Sequence, residues 1–460
     1  MKTKHRISDH LQNATDMAQG LSLTQAMNEA ARCHLCHDAP CSQSCPAGTD
    51  PATFIRKLRL RNIKGAIRTV KGNNVLSGIC ALVCPTEQLC QKGCVAAGMD
   101  KAIDIGGIQR FLVEHGWEMK FNPLEKEEKK SGKLAVIGSG PAGLSCAAEV
   151  AMAGHDVTIF ESMEKAGGVL RYGVPSFRLH GDFLDRELKD LKELGIKFNC
   201  GKTITRAGAE GLLKKGYNAV FFAPGTWKTV ELNLPGIDLK NVCNARDFLA
   251  EMRSADQTKI AQMVKGKNVA VYGGGSVAMD VATTAKSLGA NKVYIIYRRS
   301  MKEMPAARHD LDMALANYVI FRPMSIVTEL MGEKGKLISL KGIETDWKKP
   351  GETSSANLVP VEGTEFNLKV DVFVTALGYQ AEPASKEICA GVSFSKKGLV
   401  ETRNDGVTTA NPLIFAGGDI VRGPALVVEA VADGKKAGQK IIELFQKEHP
   451  GKKVAKRGTR

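Results

Sequence analysis

Eight of the twelve cysteines fall between Cys33 and Cys94, and no other feature limits this chain so tightly. They form two groups, Cys33-x2-Cys36-x4-Cys41-x3-Cys45-Pro46 and Cys80-x3-Cys84-Pro85-x4-Cys90-x3-Cys94. Thiols this dense mark the N-terminal part as a metal-type module. Iron–sulfur cubanes need thiolates from tightly spaced cysteines on a turning backbone, and a Cys-Pro end suits a ferredoxin-like run. A zinc site would prefer two CxxC pairs, and one is present. Cys33-His34-Leu35-Cys36-His37 also matches a haem-attachment pattern, although it sits inside a larger cysteine group. The other four cysteines (Cys146, Cys200, Cys243 and Cys389) are isolated, so a different chemistry follows.

A chain of 460 residues predicts two or three domains. Its 43% hydrophobic and 25% charged content is that of an ordinary globular protein. The longest apolar runs are strand-length, which predicts no membrane contact, and the polar N-terminus shows no secretory leader. A cytoplasmic address is therefore expected, where disulfides are disfavoured. The net charge of +15 comes from scattered Lys and Arg, except in the linker and the tail. It points to an acidic protein partner or a phosphorylated cofactor rather than to nucleic acid.

Asp50-Pro51 reads as a helix N-cap followed by proline at the first helical position, with Phe54, Ile55 and Leu58 on one face. Lys120 to Lys133 is charged and reads as an exposed linker. A strand KLAVIG then leads into Gly138-Ser139-Gly140-Pro141-Ala142-Gly143, a helix, and a strand DVTIFE that ends at Glu161. Glycines there permit a tight turn and the approach of a pyrophosphate to a helix N-terminus, with the acid placed for a ribose hydroxyl. About 135 residues later, NVAVYG leads into Gly273-Gly274-Gly275-Ser276-Val277-Ala278, with alanine in the third glycine's place. Its second strand ends in Tyr297-Arg298-Arg299 instead of an acid. Two guanidiniums can clamp a 2′-phosphate that a carboxylate would repel, so NADPH is expected over NADH. The competing reading is a solvated strand end.

CHLCHDAPCSQSCP, GICALVCPTEQLCQKGC and IDIGGIQRF resemble the cluster domain of dihydropyrimidine dehydrogenases, above all the bacterial electron-input subunit. Glutamate synthase small subunits and ferredoxin-linked transhydrogenase subunits share the architecture. The resemblance runs from about Thr24 to Phe445. It implies two [4Fe–4S] clusters, one on Cys33, Cys36, Cys41 and Cys94, the other on Cys45, Cys84, Cys90 and Gln109. Cys80 is left over, as a small buried residue. Gln109 tilts the likeness toward the pyrimidine branch, because glutamate synthase subunits tend to carry Glu there. The same resemblance makes the first dinucleotide site an FAD site. GGVLRYGVPSFR contributes Gly168, Val169 and Arg178, and IFAGGDIVRG contributes Gly418 and Asp419, the latter for the ribityl chain.

The fold expected is α/β: a helical double-cluster domain followed by two Rossmann-like domains in a disulfide-reductase-like layout. Its parts are 1–130 (clusters), 131–228 (FAD, first half), 229–378 (NAD(P)H), 379–446 (FAD, second half) and 447–460 (a basic, disordered tail). The nucleotide domain is inserted between Ala223-Pro224-Gly225 and Ala376-Leu377-Gly378, the latter three residues also lying at its cofactor edge. Hydride transfer from nicotinamide to flavin needs no acid, base or nucleophile from the protein, so no catalytic side chain is nominated. Disulfide reduction would need a cysteine pair at the flavin, and the later cysteines are single. The chain ends before an FMN-binding barrel could follow, so a partner subunit or redox protein (FMN/iron–sulfur type or ferredoxin) is expected to hold the substrate site. Pyrimidine reduction or dihydropyrimidine oxidation is the leading role, then glutamate synthesis, then ferredoxin-linked transhydrogenation. A non-catalytic, zinc-bearing assembly module is the alternative from another class.

Overall fold

The computed structural model describes residues 19–206, 208–253, 257–349, 351, 354–389 and 391–448. The polar N-terminus and all but the first residues of the basic tail lie outside the described residues. The chain divides into two compact units. One gathers Tyr172–Gly181 and Trp227–Tyr379; the other gathers Gly20–Arg171, Asp182–Thr226 and the chain from Gln380 onward.

The second of these begins with a run of helices, most of whose starts are written in the sequence. Helix α1 (Leu23–Ala31) starts in a capping box between Ser22 and Gln25. Helix α2 (Pro51–Arg59) has the expected start, with the Asp50 side chain accepting from Thr53 N and Pro51 in the first turn. Helix α3 (Ile63–Asn73) is capped by Asn62. Helix α4 (Ser77–Val83) has no side-chain cap of its own, and α5 (Ile105–Glu118) is capped by Asp104. Phe54, Ile55 and Leu58 of α2 meet Ile67, Val70, Ile108 and Leu112 in one apolar core, and Cys33, Cys41, Cys90 and Cys94 pack against its edge.

The stretch after α5 bears out the exposed linker in part, with Glu125, Lys126, Glu128, Lys129 and Ser131 exposed. It has no regular structure, but Leu124 is buried, and Glu127 N and Lys130 N donate to Met152 O and Gly154 O. Backbone donors near an existing helix end were satisfied there rather than by water, a choice composition does not reveal. Strand β1 (Lys133–Ile137), helix α6 (Pro141–Met152), strand β2 (Asp156–Phe160), helix α7 (Gly181–Glu193), strand β3 (Lys197–Asn199) and strand β4 (Ala219–Phe222) follow.

In the other unit, β5 (Val242–Asn244), β6 (Val269–Tyr272), helix α8 (Ser276–Ser287), β7 (Val293–Ile296) and β8 (Ile320–Arg322) come next. An antiparallel excursion follows, β9 (Ser325–Glu333), β10 (Lys336–Trp347), β11 (Leu358–Pro360) and β12 (Phe366–Lys369), before β13 (Val372–Thr375). The parallel sheet here runs β5-β13-β6-β7-β8. The chain then returns to the unit it left, adding β14 (Ile414–Ala416) and α9 (Val427–Glu448). That sheet runs β14-β4-β1-β2-β3, again all parallel. Its strands read Val/Ile/Phe-rich because helices cover both faces. Helix α9 lies close along α6, where a Cβ on Gly434 would come 2.2 Å from Ala142 O.

His155, at the entry to β2, is buried against the Phe445 ring, with centroids 4.9 Å apart and no hydrogen-bond partner for either ring nitrogen. Burial, aided by Lys130, pushes its pKa from 6.5 down to about 4. The folded protein therefore refuses a proton that the unfolded chain accepts below pH 6.5. The stability this represents is complete above pH 6.5 and is lost as pH falls towards about 4. Denaturant titrations should show His155→Leu losing less stability than the parent between those two pH values. Parallel curves would mean that the imidazole is protonated in the fold.

Candidate functional site

The two cysteine groups come together as two neighbourhoods, each drawing on both groups. Cys33, Cys36, Cys41 and Cys94 line one cavity, closed by Ala39, Pro40, Ala52, Ile55, Ile103 and Ile105. Burial raises the pKa of the Cys33 thiol, and the Cys36 and Cys94 thiols raise it further; burial and Cys94 act likewise on Cys41. Cys94 Sγ also accepts from Ile103 N at 3.4 Å. In the second neighbourhood the Cys84 thiol is raised well above its usual value by a hydrogen bond with Cys80, by burial and by Cys45 and Cys90. Cys90 is pushed up to about 12, by burial and then by Cys45.

All of these cysteines are free thiols. Among the described residues no three His, Cys, Asp or Glu side chains close on one point as the ligands of a single ion would. Thiols set around a cavity, each disfavouring its neighbours' charge, are a donor set suited to a polynuclear cation. The residues present therefore fit [4Fe–4S] clusters.

Gln109 is buried on α5, and its Nε2 donates to Ser77 O at 2.5 Å. Ser77 opens α4, the helix that ends at Cys84, so this amide and that thiol hang on one element. Cys80 is buried as expected, but it is not idle: Asn74 Nδ2 meets its Sγ at 3.3 Å.

At the C-terminal edge of the β14-β4-β1-β2-β3 sheet, the loop after β1 is forced by close approach. Gly138 has φ +101°, and a Cβ there would lie 2.3 Å from Ala223 O, behind β4. One on Gly143 would lie 2.0 Å from Gly138 O, whereas Gly140 faces open space, as a loop that admits a phosphate requires. Pro141 and Ala142 open α6. Glu161 is buried beside this loop: Oε2 accepts from Ser139 N (3.0 Å) and Oγ (2.5 Å), and Oε1 from Met163 N (2.8 Å). Its first task is thus to hold the loop, with lone pairs left for a ribose.

Gly168 packs on Gly140, and Val169 beside it is partly exposed. From the far end of the chain, Gly418 N donates to Asp433 Oδ2 at 2.9 Å, and Thr226 Oγ1 lies 3.4 Å from Asp419 Oδ2. Burial pushes Asp419 up to about 6 against the Ala425 backbone and Thr226. Thr226 and Asp433 were not singled out in the sequence; each is a lone polar residue whose partner is distant in the chain.

In the other unit the same construction recurs. A Cβ on Gly273 would meet Ala376 O at 2.2 Å, while Gly275 caps α8. Ser276 Oγ accepts from Ala307 N at 3.3 Å, and Val277 is the next residue of α8. A Cβ on Gly274 would strike the Tyr297 ring at 2.5 Å. Arg298 is exposed and Arg299 half-buried at the end of β7, their carbonyls held by Thr345 Oγ1 and Met324 N. Ala376, Leu377 and Gly378 follow β13 at the same edge, with Leu377 partly exposed. Arg178 is engaged otherwise than expected for a flavin contact. Its Nε meets Asp280 at 2.5 Å and its Nη2 meets Asp310 at 2.6 Å.

Comparison with known proteins agrees with these two constructions. Residues 10–121 match dihydropyrimidine dehydrogenase domain II, 4Fe-4S cluster, and residues 132–434 match pyridine nucleotide-disulphide oxidoreductase. The NAD-dependent dihydropyrimidine dehydrogenase subunit PreT of Salmonella typhimurium is 36% identical over 437 residues, 94% of this chain and 97% of that one. The glutamate synthase [NADPH] small chain of Halomonas elongata is 32% identical, covering 91% of each. Mycobacterium tuberculosis FprA in complex with NADPH shares the fold, with a TM-score of 0.56 at 19% identity over 71% of this chain and 87% of that one. No helix of the described residues is long and apolar enough to cross a membrane. With two thiol neighbourhoods and two glycine-loop edges on one chain, the protein belongs to the family of the dihydropyrimidine dehydrogenase PreT subunits and glutamate synthase small chains, and it is an NAD(P)H-oxidising electron-input subunit carrying FAD and [4Fe–4S] clusters.

Proposed function

We propose that this subunit feeds electrons from a pyridine nucleotide to a cytoplasmic partner that interconverts pyrimidines and dihydropyrimidines. The observation that carries the reading is the pairing of the second thiol neighbourhood with Gln109, whose amide shares helix α4 with Cys84 through Ser77. The chemistry supplied by the bound groups is hydride acceptance by the flavin and one-electron relay by the clusters. The protein's own residues position these groups. Gly138, Ser139, Gly140 and Gly143 present backbone to the FAD pyrophosphate, with Pro141 and Ala142 starting the helix aimed at it. Glu161 steadies that loop and takes the ribose. Gly168, Val169, Gly418 and Asp419 border the rest of the cofactor, with Thr226 fixing the Asp419 carboxylate.

For the second nucleotide, Gly274, Gly275, Ser276 and Val277 present the loop and helix start, and Ala376, Leu377 and Gly378 close the edge. Arg298 and Arg299 take the 2′-phosphate, which favours NADPH even though the PreT relatives are named NAD-dependent. The arginine pair is also what keeps glutamate synthesis as the second reading, since that relative is named for NADPH. Co-purification of the partner, followed by assay of uracil against glutamine plus 2-oxoglutarate, separates the two; turnover of neither substrate would defeat both.

Arg298→Ala should lower kcat/KM for NADPH relative to NADH by roughly tenfold or more, the loss of one charge-assisted contact. An unchanged ratio would remove the arginines from the cofactor site. Iron and sulfide analysis after anaerobic purification tests the ligands. Cys84→Ala and Gln109→Ala should each drop iron from about eight atoms per chain toward about four, while Cys80→Ala should leave it unchanged. Iron loss in Cys80→Ala with none in Gln109→Ala would make Cys80 the fourth ligand.

A further inference from the structure

We infer that Glu187, a residue of the flavin-binding portion, is a positioning residue for the second cluster. The inference rests on the ligand set proposed above. Glu187 lies on α7 and is fully buried. Its carboxylate accepts from Gly78 N at 3.2 Å and from Ile79 N at 3.1 Å, two first-turn donors of α4. A helix start leaves such donors without intrahelical partners, and α4 supplies no side chain of its own to satisfy them. The cap therefore arrives from more than a hundred residues away.

What hangs on that cap is the cluster site. Helix α4 ends at Cys84, whose N donates to Cys80 O at 3.0 Å, so the thiol sits one rigid helix from the carboxylate. The Ser77 carbonyl at its start holds the Gln109 amide nitrogen at 2.5 Å, leaving the amide oxygen for iron. Two ligands from distant parts of the sequence are thus registered by one carboxylate. Lys71 balances its charge: Nζ lies 3.1 Å from Glu187, 3.0 Å from Asp190 and 3.1 Å from Val75 O. The first cluster's ligands depend instead on the cluster domain itself, as where Arg59 Nη1 donates to Cys33 O at 3.0 Å.

The test uses the full chain, purified anaerobically with its cofactors, and electron paramagnetic resonance during a reductive titration. Glu187→Gln keeps a carbonyl for one backbone donor and removes the charge. The double variant Lys71→Met/Glu187→Gln also removes the ammonium left behind, and serves if the single variant does not fold. In both, the expected result is one cluster with parental g-values and midpoint, and a second with shifted g-values and midpoint or lost altogether, while FAD content is unchanged. Parental signals from both clusters in the double variant would overturn the inference, as would equal loss of both clusters together with FAD, the mark of a merely structural role. Cys84→Ala separates this from failure of the ligand set. If that variant loses one cluster and the Glu187 variants change nothing, the positioning role alone falls. If it loses none, the ligand set falls and the inference with it.

Discussion

One buried ammonium joins the parts of the cluster- and flavin-bearing unit. Lys71 is 2% exposed, and burial alone would lower its pKa, yet the carboxylates of Glu187 and Asp190 raise it above the ordinary lysine value. It stands at the meeting of α3, α4 and α7, and its neighbours extend the contact. Trp117 Nε1 donates to Asp190, the Trp117 and Phe183 rings meet edge to face at 4.9 Å, and Arg186 lies over the indole. Removing one partner of such a group costs about 3–5 kcal/mol, because the others remain charged and dry. An apolar contact of equal area would hold the two parts together as well. It would not fix their register, and electron transfer between bound groups needs register more than it needs stability.

A second attachment differs in kind. Lys435 on α9 donates to Ala47 O and to Asn73 O, both at 2.6 Å, tying the turn after Cys45 and the end of α3 to the flavin-binding portion. A cation at a helix C-terminus is favoured by the exposed carbonyls there. Together with Glu187 at the start of α4, opposite charges sit where opposite helix ends call for them. Helix dipoles thus act beside the apolar contact of Phe183 with Trp117 in orienting the cysteine-bearing turns.

Much of this was legible in the sequence. Asp50-Pro51 marked α2, the glycine loops marked both nucleotide edges, and cysteine spacing marked the cluster portion, because each is a local rule with a local cause. The partners that complete those elements were not legible. Nothing near Thr226 announces Asp419, and nothing near Gly78 announces Glu187, since both pairings are created by topology. The charged run from Lys120 to Lys133 was legible only in part, for the same reason. Its composition suits solvent, where most of its charged side chains lie, but Leu124 is buried and two backbone donors found partners on the flavin-binding portion. Arg178, which the resemblance gives to the flavin, pairs with Asp280 and Asp310, two partners distant in the chain that the motif does not announce.

The thiols of the cluster portion are set so that each disfavours its neighbours' charge. Burial raises the pKa of Cys33, Cys41 and Cys90 and neighbouring thiols raise it further, while a hydrogen bond with Cys80 and then burial raise that of Cys84; a metal takes only thiolates. A cluster held by these thiols would take them deprotonated, with attraction in place of repulsion. Polar side chains shape the turns that carry the cysteines. Asp50 Oδ1 accepts from Ser42 Oγ at 2.7 Å as well as from Thr53 N at 3.1 Å, and Ser44 Oγ donates to Pro40 O at 2.8 Å. Burial pushes the Asp50 carboxyl up, but the hydrogen bonds from Thr53 and Ser42 hold it below its ordinary value, so it stays charged and keeps accepting. Cys41 and Cys45 lie on either side of these bonds. The same aspartate that starts α2 thereby shapes the turn that carries Cys41 and Cys45, so a helix cap also fixes the backbone between two cysteines of the cluster portion.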